Sequence, residues 1–176
     1  KLYKGDEVVL DTGEELVKVH LDQFYGIEIN DFAVSVAKTA LWIAESQMLE
    51  ETKAILFAAN LDFLPLKSYT NIVEGNALSL EWGEVVPKDK LNYIFGNPPF
   101  IGKKEQTSIQ KSELLNVFEG RRVGNIDYVS AWHCKAIKMI ENSKICVSFV
   151  STNSIVQGEQ VPLLWSILYE LGIEII

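Results

Sequence analysis

An apolar segment that ends in two consecutive prolines constrains the fold of this chain more than any other feature. Residues 91–100 read LNYIFGNPPF, and the run up to Gly96 has the apolar and aromatic character of a buried strand. Proline has no N–H to give to a sheet and fixes its own backbone, so Pro98 and Pro99 continue neither a central strand nor a helix. The sequence therefore predicts a rigid turn at the carboxyl end of a strand, where open α/β sheets bind ligands.

This turn would present two hydrogen-bond acceptors and one aromatic ring to a ligand. The acceptors are the Asn97 side-chain oxygen and the Pro98 carbonyl, and the ring is that of Phe100. An amine conjugated to a heterocycle is a poor nucleophile, because its lone pair is delocalised into the ring. Two acceptors that hold its N–H bonds favour a tetrahedral nitrogen and match the positive charge that develops during attack. With Phe100 stacked on the heterocycle, these residue types indicate chemistry on a planar amine.

The rest of the chain alternates between short β-favouring runs and helical patterns. Strands are predicted at residues 24–29, 71–74, 91–96 and 144–152, and a further strand begins at 173–176. Helices are predicted at residues 31–50, 127–141 and 161–171, where apolar residues recur at helical spacing. This alternation predicts an α/β fold with a doubly wound, mainly parallel sheet that is covered on both faces.

Residues 101–125 are polar, with one brief helical patch at 112–118. Long irregular segments inside compact domains are usually functional, and this one begins at the predicted turn. Two interpretations stay open: a mobile cover over a substrate, or an ordinary surface insertion.

Composition limits the partners of the chain. Its 176 residues, 48% of them hydrophobic, can form one core, and no apolar run approaches the length of a membrane span, so we expect a soluble, cytoplasmic protein. The net charge of −8 argues against a tight grip on nucleic acid by this segment alone, because phosphate binding needs clustered Lys and Arg. For the two local basic pairs, phosphate contact and ordinary solvated charge both stay open. These pairs are Lys103 with Lys104 and Arg121 with Arg122.

The cysteines and histidines show no metal-type spacing. Cys134 falls in a predicted helix and Cys146 in a predicted buried strand, so both are interpreted as small core residues. His20 and His133 have no partners in the pattern, and we assign them no catalytic role. The sequence predicts no metal site.

Asn-Pro-Pro-Phe after an apolar strand resembles the catalytic motif of amino-methyltransferases that use S-adenosyl-L-methionine, above all the DNA adenine-N6 enzymes. Longer strings resemble large bacterial restriction-modification proteins of the MmeI-like kind. They are QFYGIEINDFAVSVAKTALWIAE, EGNAL, YIFGNPPFIGKK, NIDYVSAWHCKAI and FVSTNSIVQGEQVPLLW, and they cover most of residues 23–165 in order. The resemblance implies the class I methyltransferase fold and methyl transfer to the amine of an adenine flipped out of duplex DNA.

The pattern and the resemblance together assign the site residues. The catalytic residues are Asn97, Pro98, Pro99 and Phe100, and the cofactor-binding residues are Glu28, Ile29, Asn76 and Ala77. Glu28, near the end of a strand, suits the ribose hydroxyls, with Ile29 against the adenine ring. As alternatives, Glu28 caps the following helix or faces solvent. Asn76 stands where the family usually has an acidic residue, and either an adenine contact or a simple turn accounts for it.

The resemblance also indicates which parts are missing. Class I methyltransferases have a glycine-rich loop after their first strand, and nothing in residues 1–23 resembles it. We therefore expect a lead-in segment at residues 1–20 and a partial catalytic domain at 21–176, inactive by itself. Target recognition, and a nuclease if there is one, would lie elsewhere in the parent chain. The alternatives are an RNA base or protein-glutamine methyltransferase, or an inactive scaffold fragment.

Overall fold

The computed structural model describes residues 2–4, 7–9, 19–56, 71–121 and 123–175. Its strands are β1 (Leu2–Lys4), β2 (Glu7–Val9), β3 (Gly26–Glu28), β4 (Ile72–Glu74), β5 (Tyr93–Gly96) and β6 (Cys146–Phe149). Its α-helices are α1 (Asp31–Leu56), α2 (Trp82–Val85), α3 (Ser108–Val117), α4 (Ser130–Ile140) and α5 (Val161–Glu170). Among the helices of the described residues, none is long and apolar enough to cross a membrane.

The chain divides into two compact units. The first comprises Lys1–Gly26 and Asp31–Val73, and the second comprises Ile27–Asn30 and Glu74–Ile176. Every catalytic and cofactor-binding residue predicted from the sequence belongs to the second unit.

Helix α1 is the longest element of the first unit. The Asp31 carboxylate accepts a hydrogen bond from the Phe32 N–H at 2.6 Å, and an acidic residue at this end suits the helix dipole. Since neither glycine nor proline interrupts the sequence, α1 continues past the predicted end at residue 50 to Leu56. The predicted apolar face is largely exposed, since Phe32, Val36 and Met48, which recur on it at helical spacing, are all exposed.

The described strands form three separate pairs. β1 and β2 are antiparallel, whereas β5 and β6 are parallel. In the β3–β4 pair the Gly26 N–H donates to the Asn71 carbonyl at 3.0 Å, and the Gly75 N–H donates to the Glu28 carbonyl at 2.8 Å. The residue numbers rise together along both strands, as they do in a parallel pair. These parallel pairs, separated in sequence by helices, confirm the predicted α/β class.

The β5–β6 pair has one open face. Tyr93 lies opposite Cys146 and Phe95 opposite Ser148, and all four side chains are exposed. On the other face Phe149 contacts α4 through the ring of His133, edge to face. The prediction that β5 is a buried strand was therefore wrong, since Tyr93 is 70% and Phe95 75% exposed. The prediction that Cys146 of β6 is buried was also wrong. A short apolar run does not distinguish a strand buried on both faces from one buried on a single face.

The core of the second unit lies among α3, α4, α5 and the segments that lead into them. One apolar cluster joins these elements. Its buried members are Leu78, Leu114, Val117, Phe118, Val123, Ile126, Tyr128, Ala131, Cys134, Ile137, Leu164, Ile167 and Leu168. The expected burial of Cys134 is confirmed.

Residues within 101–125 contribute to this core, so the interpretation of the segment as an ordinary surface insertion was wrong, and the cover over a substrate stays a prediction. Thr107 and Gln110 form a capping box, in which the Gln110 N–H donates to Thr107 Oγ1 and the Thr107 N–H donates to Gln110 Oε1. The cap starts a ten-residue helix in place of the predicted brief patch. Leu114, Val117 and Phe118 follow at helical spacing and are buried.

The last predicted strand is absent from the described residues. Helix α5 ends before Gly172, which has a φ of 78°, and residues 173–175 form no strand. Ile176 lies outside the described residues. A strand needs a neighbour for its backbone groups, and none is paired with this segment.

Stability should fall on mild acidification because of His133. Burial lowers the pKa of this imidazole below its ordinary value of 6.5, and a hydrogen bond from Nδ1 to the Val129 carbonyl opposes the shift. Below pH 6.5 the unfolded chain binds a proton that the folded chain resists, so the free energy of unfolding decreases as the pH falls through this range. An NMR titration, assigned with a His133→Gln variant, should place the midpoint of His133 below 6.5. A midpoint at or above that value would contradict the prediction.

Candidate functional site

The Asn-Pro-Pro-Phe turn follows β5 directly. Asn97 and Pro99 are exposed, Pro98 is buried, and the Phe100 side chain is 45% exposed. Within the described part of the chain, no group donates a hydrogen bond to the Asn97 side-chain oxygen or to the Pro98 carbonyl. The two predicted acceptors therefore have no donor among the described residues, and the aromatic side chain beside them is accessible.

Gly96 joins this turn to the neighbouring strand. Its carbonyl accepts a hydrogen bond from the Val150 N–H at 3.0 Å, which extends the β5–β6 pairing to the start of the turn. A Cβ added at Gly96 would lie 3.6 Å from two ring atoms of Phe149, an ordinary contact. Packing within the described residues therefore does not demand glycine here.

The chain that leaves the turn is anchored on the segment that precedes α4. The Tyr128 N–H donates to the Ile101 carbonyl at 2.9 Å. The buried Gln106 amide donates to the Ile126 carbonyl at 3.0 Å. Because these bonds begin at the residue after Phe100, they fix where the turn ends.

Glu28, the predicted ribose-binding residue, ends β3 with a partly buried side chain. Its Oε1 accepts a hydrogen bond from the Asn30 N–H at 3.1 Å, close to the start of α1. Its Oε2 has no hydrogen-bond donor among the described residues. The neighbouring Ile29 is 69% exposed. One carboxylate oxygen thus supports the local turn and the other is available to a ligand.

Both the oxygen and the nitrogen of the Asn76 side-chain amide form hydrogen bonds within the second unit. Its Oδ1 accepts from the Leu78 N–H at 2.9 Å, which forms a local turn, and its Nδ2 donates to Glu113 Oε1 at 2.6 Å. Tyr128 donates to the other oxygen of Glu113 at 2.5 Å. Burial, followed by the Glu113 hydrogen bond and charge, raises the pKa of Tyr128. The turn interpretation of Asn76 is therefore observed, and a ligand would meet an amide that is already oriented.

The residues after Asn76 are fixed by two long side chains. The Ala77 carbonyl accepts from Trp82 Nε1 at 2.8 Å. Lys135 of α4 donates to the Leu78 carbonyl at 2.9 Å and also to the Leu80 carbonyl. Burial lowers the pKa of Lys135, as expected for an ammonium group partly removed from water. The loop after β4 is consequently tied to the same helix that packs against β6.

Two of the four basic candidates, Lys103 and Arg121, have structural partners. Arg121 pairs with Glu170 at 2.9 Å on the surface, Lys103 donates to Asn125, and Arg122 lies outside the described residues. Among the described residues, no group of three or more His, Cys, Asp or Glu could hold a metal ion. A cavity of about 300 Å³ between the end of α3 and the helices α4 and α5 includes no predicted site residue.

Sequence reasoning missed the side chains that organise these loops. Two of them are Gln160 and Asp127, whose side chains are joined by a hydrogen bond of 2.9 Å. Both residues lie inside strings that resemble the methyltransferase family, so those strings were the available signal. Glu113 lies in α3, and no local pattern around it predicts its bonds to Asn76 and Tyr128.

Comparison with known proteins gives one consistent result. The family described as "MmeI, DNA-methyltransferase domain" matches residues 4–176. A relative named DNA methyltransferase A, from Bacillus subtilis (strain 168), is 47% identical over 160 residues, which is 89% of this chain. The solved structure of the Type IIL restriction-modification enzyme MmeI in complex with DNA matches 97% of this chain with a TM-score of 0.86 and 43% identity.

Both relatives are much longer than this chain. It spans 18% of DNA methyltransferase A and 23% of the matched MmeI chain.

Proposed function

Because this chain belongs to the MmeI DNA-methyltransferase domain family, we propose that it is the catalytic core of a DNA adenine-N6 methyltransferase within a restriction-modification protein. The observation that carries this proposal is the state of the turn after β5. Asn97 is exposed at the carboxyl end of a parallel strand, with its side-chain oxygen unused in the described residues and the partly exposed Phe100 beside it. Ligands of open α/β sheets bind at this edge.

The turn suits the adenine amine for reasons of charge. The Asn97 side-chain oxygen and the Pro98 carbonyl accept the two N–H bonds of the amine, and neither has to take a proton before attack. Both acceptors interact more strongly with the nitrogen as it becomes positive, which is preferential binding of the transition state. When bound, S-adenosyl-L-methionine would supply the methyl group and keep the bonding electron pair on its sulfur, and the amine would release one proton to solvent. Phe100 stacks on the flipped base and fixes its plane.

The methyl donor we propose is S-adenosyl-L-methionine, which supplies an electrophilic methyl group. The described residues fit its nucleoside end. Glu28 has a carboxylate oxygen available to ribose hydroxyls, and Ile29 offers an exposed apolar side chain to the adenine ring. Asn76 and Ala77 border the same ring, with the Asn76 amide oriented by Leu78 and Glu113.

DNA binding by this domain requires help from other segments of the protein. The net charge of −8 is unfavourable for holding a phosphate backbone. We therefore assign DNA binding and recognition of the DNA sequence to target-recognition segments in the same parent chain. If the parent protein also cleaves DNA, that chain has a nuclease segment in addition. We further propose that the parent acts in the cytoplasm and that the domain is inactive alone.

A methyl-transfer assay with the full-length protein tests the proposed function. Radiolabelled S-adenosylmethionine is supplied with duplex DNA, RNA or protein, and the labelled DNA is digested to nucleosides for mass spectrometry. We expect label in DNA only, recovered as N6-methyladenine. Label confined to RNA or to protein glutamine would refute the DNA assignment. Calorimetric titration that detects no cofactor binding to the full-length protein would favour an inactive scaffold.

A further inference from the structure

Asp127 lies at the centre of a hydrogen-bonded cluster that joins the segment before α4 to the loop after β6 in the second unit. Its Oδ2 accepts from Ser154 Oγ at 2.6 Å and from Gln160 Nε2 at 2.9 Å. Its backbone N–H donates to Gln160 Oε1 at 2.9 Å, so the Gln160 amide binds Asp127 at two points. Gln160 is only 5% exposed, which shields these bonds from competing water.

The direction of the hydroxyl bonds in this cluster follows from the chemistry of the carboxylate. A carboxylate has no proton to donate, so Ser154 is the donor to Asp127. Ser154 has only one hydroxyl proton, and its 2.5 Å contact with Thr152 is therefore a bond that Thr152 donates. The resulting chain of donors runs from the loop after β6 toward Asp127, and each bond polarises the next.

The cluster reaches the turn at residues 97–100 through the peptide that follows Asp127. The next N–H, that of Tyr128, holds the Ile101 carbonyl at 2.9 Å, and Ile101 is bonded directly to Phe100. A Cβ at Gly102 would lie 3.8 Å from Asp127 Oδ1, so the carboxylate lies near the chain just after the turn. Asn125 adds a parallel link between the same loops, because it accepts from Lys103 and donates to Glu159.

We propose that Asp127 is a positioning residue for methyl transfer: its carboxylate, fixed by Ser154 and Gln160, sets the peptide that holds the catalytic turn. This inference rests on the proposed function of that turn. Asp127 touches neither base nor cofactor in this proposal, and it acts by holding Ile101 and, through it, Phe100 and Asn97. A small misplacement of reacting groups reduces rates severely, by about 100-fold for 1 Å.

The test compares alanine and asparagine at position 127 in the full-length protein. Asp127→Ala removes both acceptors and should lower the single-turnover methylation rate about 10- to 100-fold at saturating DNA and cofactor. Asp127→Asn keeps one neutral acceptor oxygen and should restore most of the rate. Cofactor affinity, measured by calorimetry, should stay within about twofold in both variants, because no group that contacts the cofactor changes. Asp89→Ala, at an exposed aspartate elsewhere in the second unit, is the matched control and should leave the rate unchanged.

Hydrogen exchange at the Tyr128 amide supplies a readout that does not depend on activity. In Asp127→Ala this amide should exchange faster while the amides of α5 keep their protection. A wild-type rate together with unchanged exchange at Tyr128 would overturn the inference. If Asp127→Ala does not fold, Ser154→Ala and Gln160→Leu each remove one bond to the carboxylate and should show smaller losses of rate in the same direction. Wild-type rates in both would also overturn it.

The assay separates this inference from the proposed function on which it rests. Loss of methylation in an Asn97→Ala variant with full activity in Asp127→Ala would leave the proposed function standing and reject the positioning role. Absence of DNA methylation by the unmodified protein would reject the proposed function, and exchange at the Tyr128 amide would then decide whether Asp127 holds the loop.

Discussion

Replacement of Asn97 by alanine in the full-length protein is expected to lower methyl transfer to DNA by about 100- to 1000-fold, the usual cost of removing one aligned hydrogen-bond partner from a transition state. The structure leaves the Asn97 side-chain oxygen without a donor among the described residues, so its removal disrupts no bond there. Folding and cofactor affinity should therefore remain close to those of the unmodified protein. The measurements are the single-turnover rate of N6-methyladenine formation and calorimetric titration with S-adenosylmethionine.

Asn116→Ala is a suitable control for this variant. Asn116 is an exposed asparagine on α3, and its side chain makes no hydrogen bond within the described residues. It should methylate DNA at the unmodified rate. Turnover retained by Asn97→Ala would contradict the proposed catalytic role, whereas equal losses in both variants would indicate damage to folding and not to the reaction.

The second large effect is expected at Phe118, in the segment that the sequence had suggested to be a cover. Phe118 is 1% exposed and belongs to the apolar cluster among α3, α4 and α5. Phe118→Ala should reduce the local free energy of unfolding by about 3–5 kcal/mol, the usual cost of an aromatic ring deleted from a core. Native-state hydrogen exchange of the α4 amides in the full-length protein measures this change.

Leu115→Ala, three residues earlier in the last turn of α3, is the matched control. Leu115 is 45% exposed, so its truncation should change the free energy by about 0.5 kcal/mol or less. If Phe118→Ala were no more destabilising than this control, residues 101–125 would be separable from the core, contrary to the structure.

Local features of the sequence predicted local features of the structure. The turn after β5 was predicted because Pro98 and Pro99 exclude any regular continuation of the strand, and their effect does not depend on distant residues. Helix α1 was predicted from its periodicity, though not its end. The length of α3 was underestimated, although Thr107 and Gln110 already have the spacing of a capping box in the sequence.

Burial and site organisation depend on distant residues, and local pattern does not encode them. The aromatic side chains of β5 have the composition of a core strand, yet Tyr93 and Phe95 are exposed, because burial depends on what packs against each face. The bond from Asn76 to Glu113 spans 37 residues and the bond from Gln160 to Asp127 spans 33. The family resemblance included the strings around Asn76, Asp127 and Gln160, but not Glu113, and it did not indicate which side chains contact one another.

The apolar cluster contains residues that adjoin Asn76 and residues that hold the Asn-Pro-Pro-Phe turn. Leu78 lies in the loop after β4, Ile126 and Tyr128 hold the chain that leaves the Asn-Pro-Pro-Phe turn, and Leu164 follows the loop after β6. Opening this cluster would release all of these loops in one event. Heat would therefore be expected to abolish the proposed contact of the Asn76 loop with the nucleoside and that of the turn with the target base at a common temperature, without an intermediate that keeps only one of them.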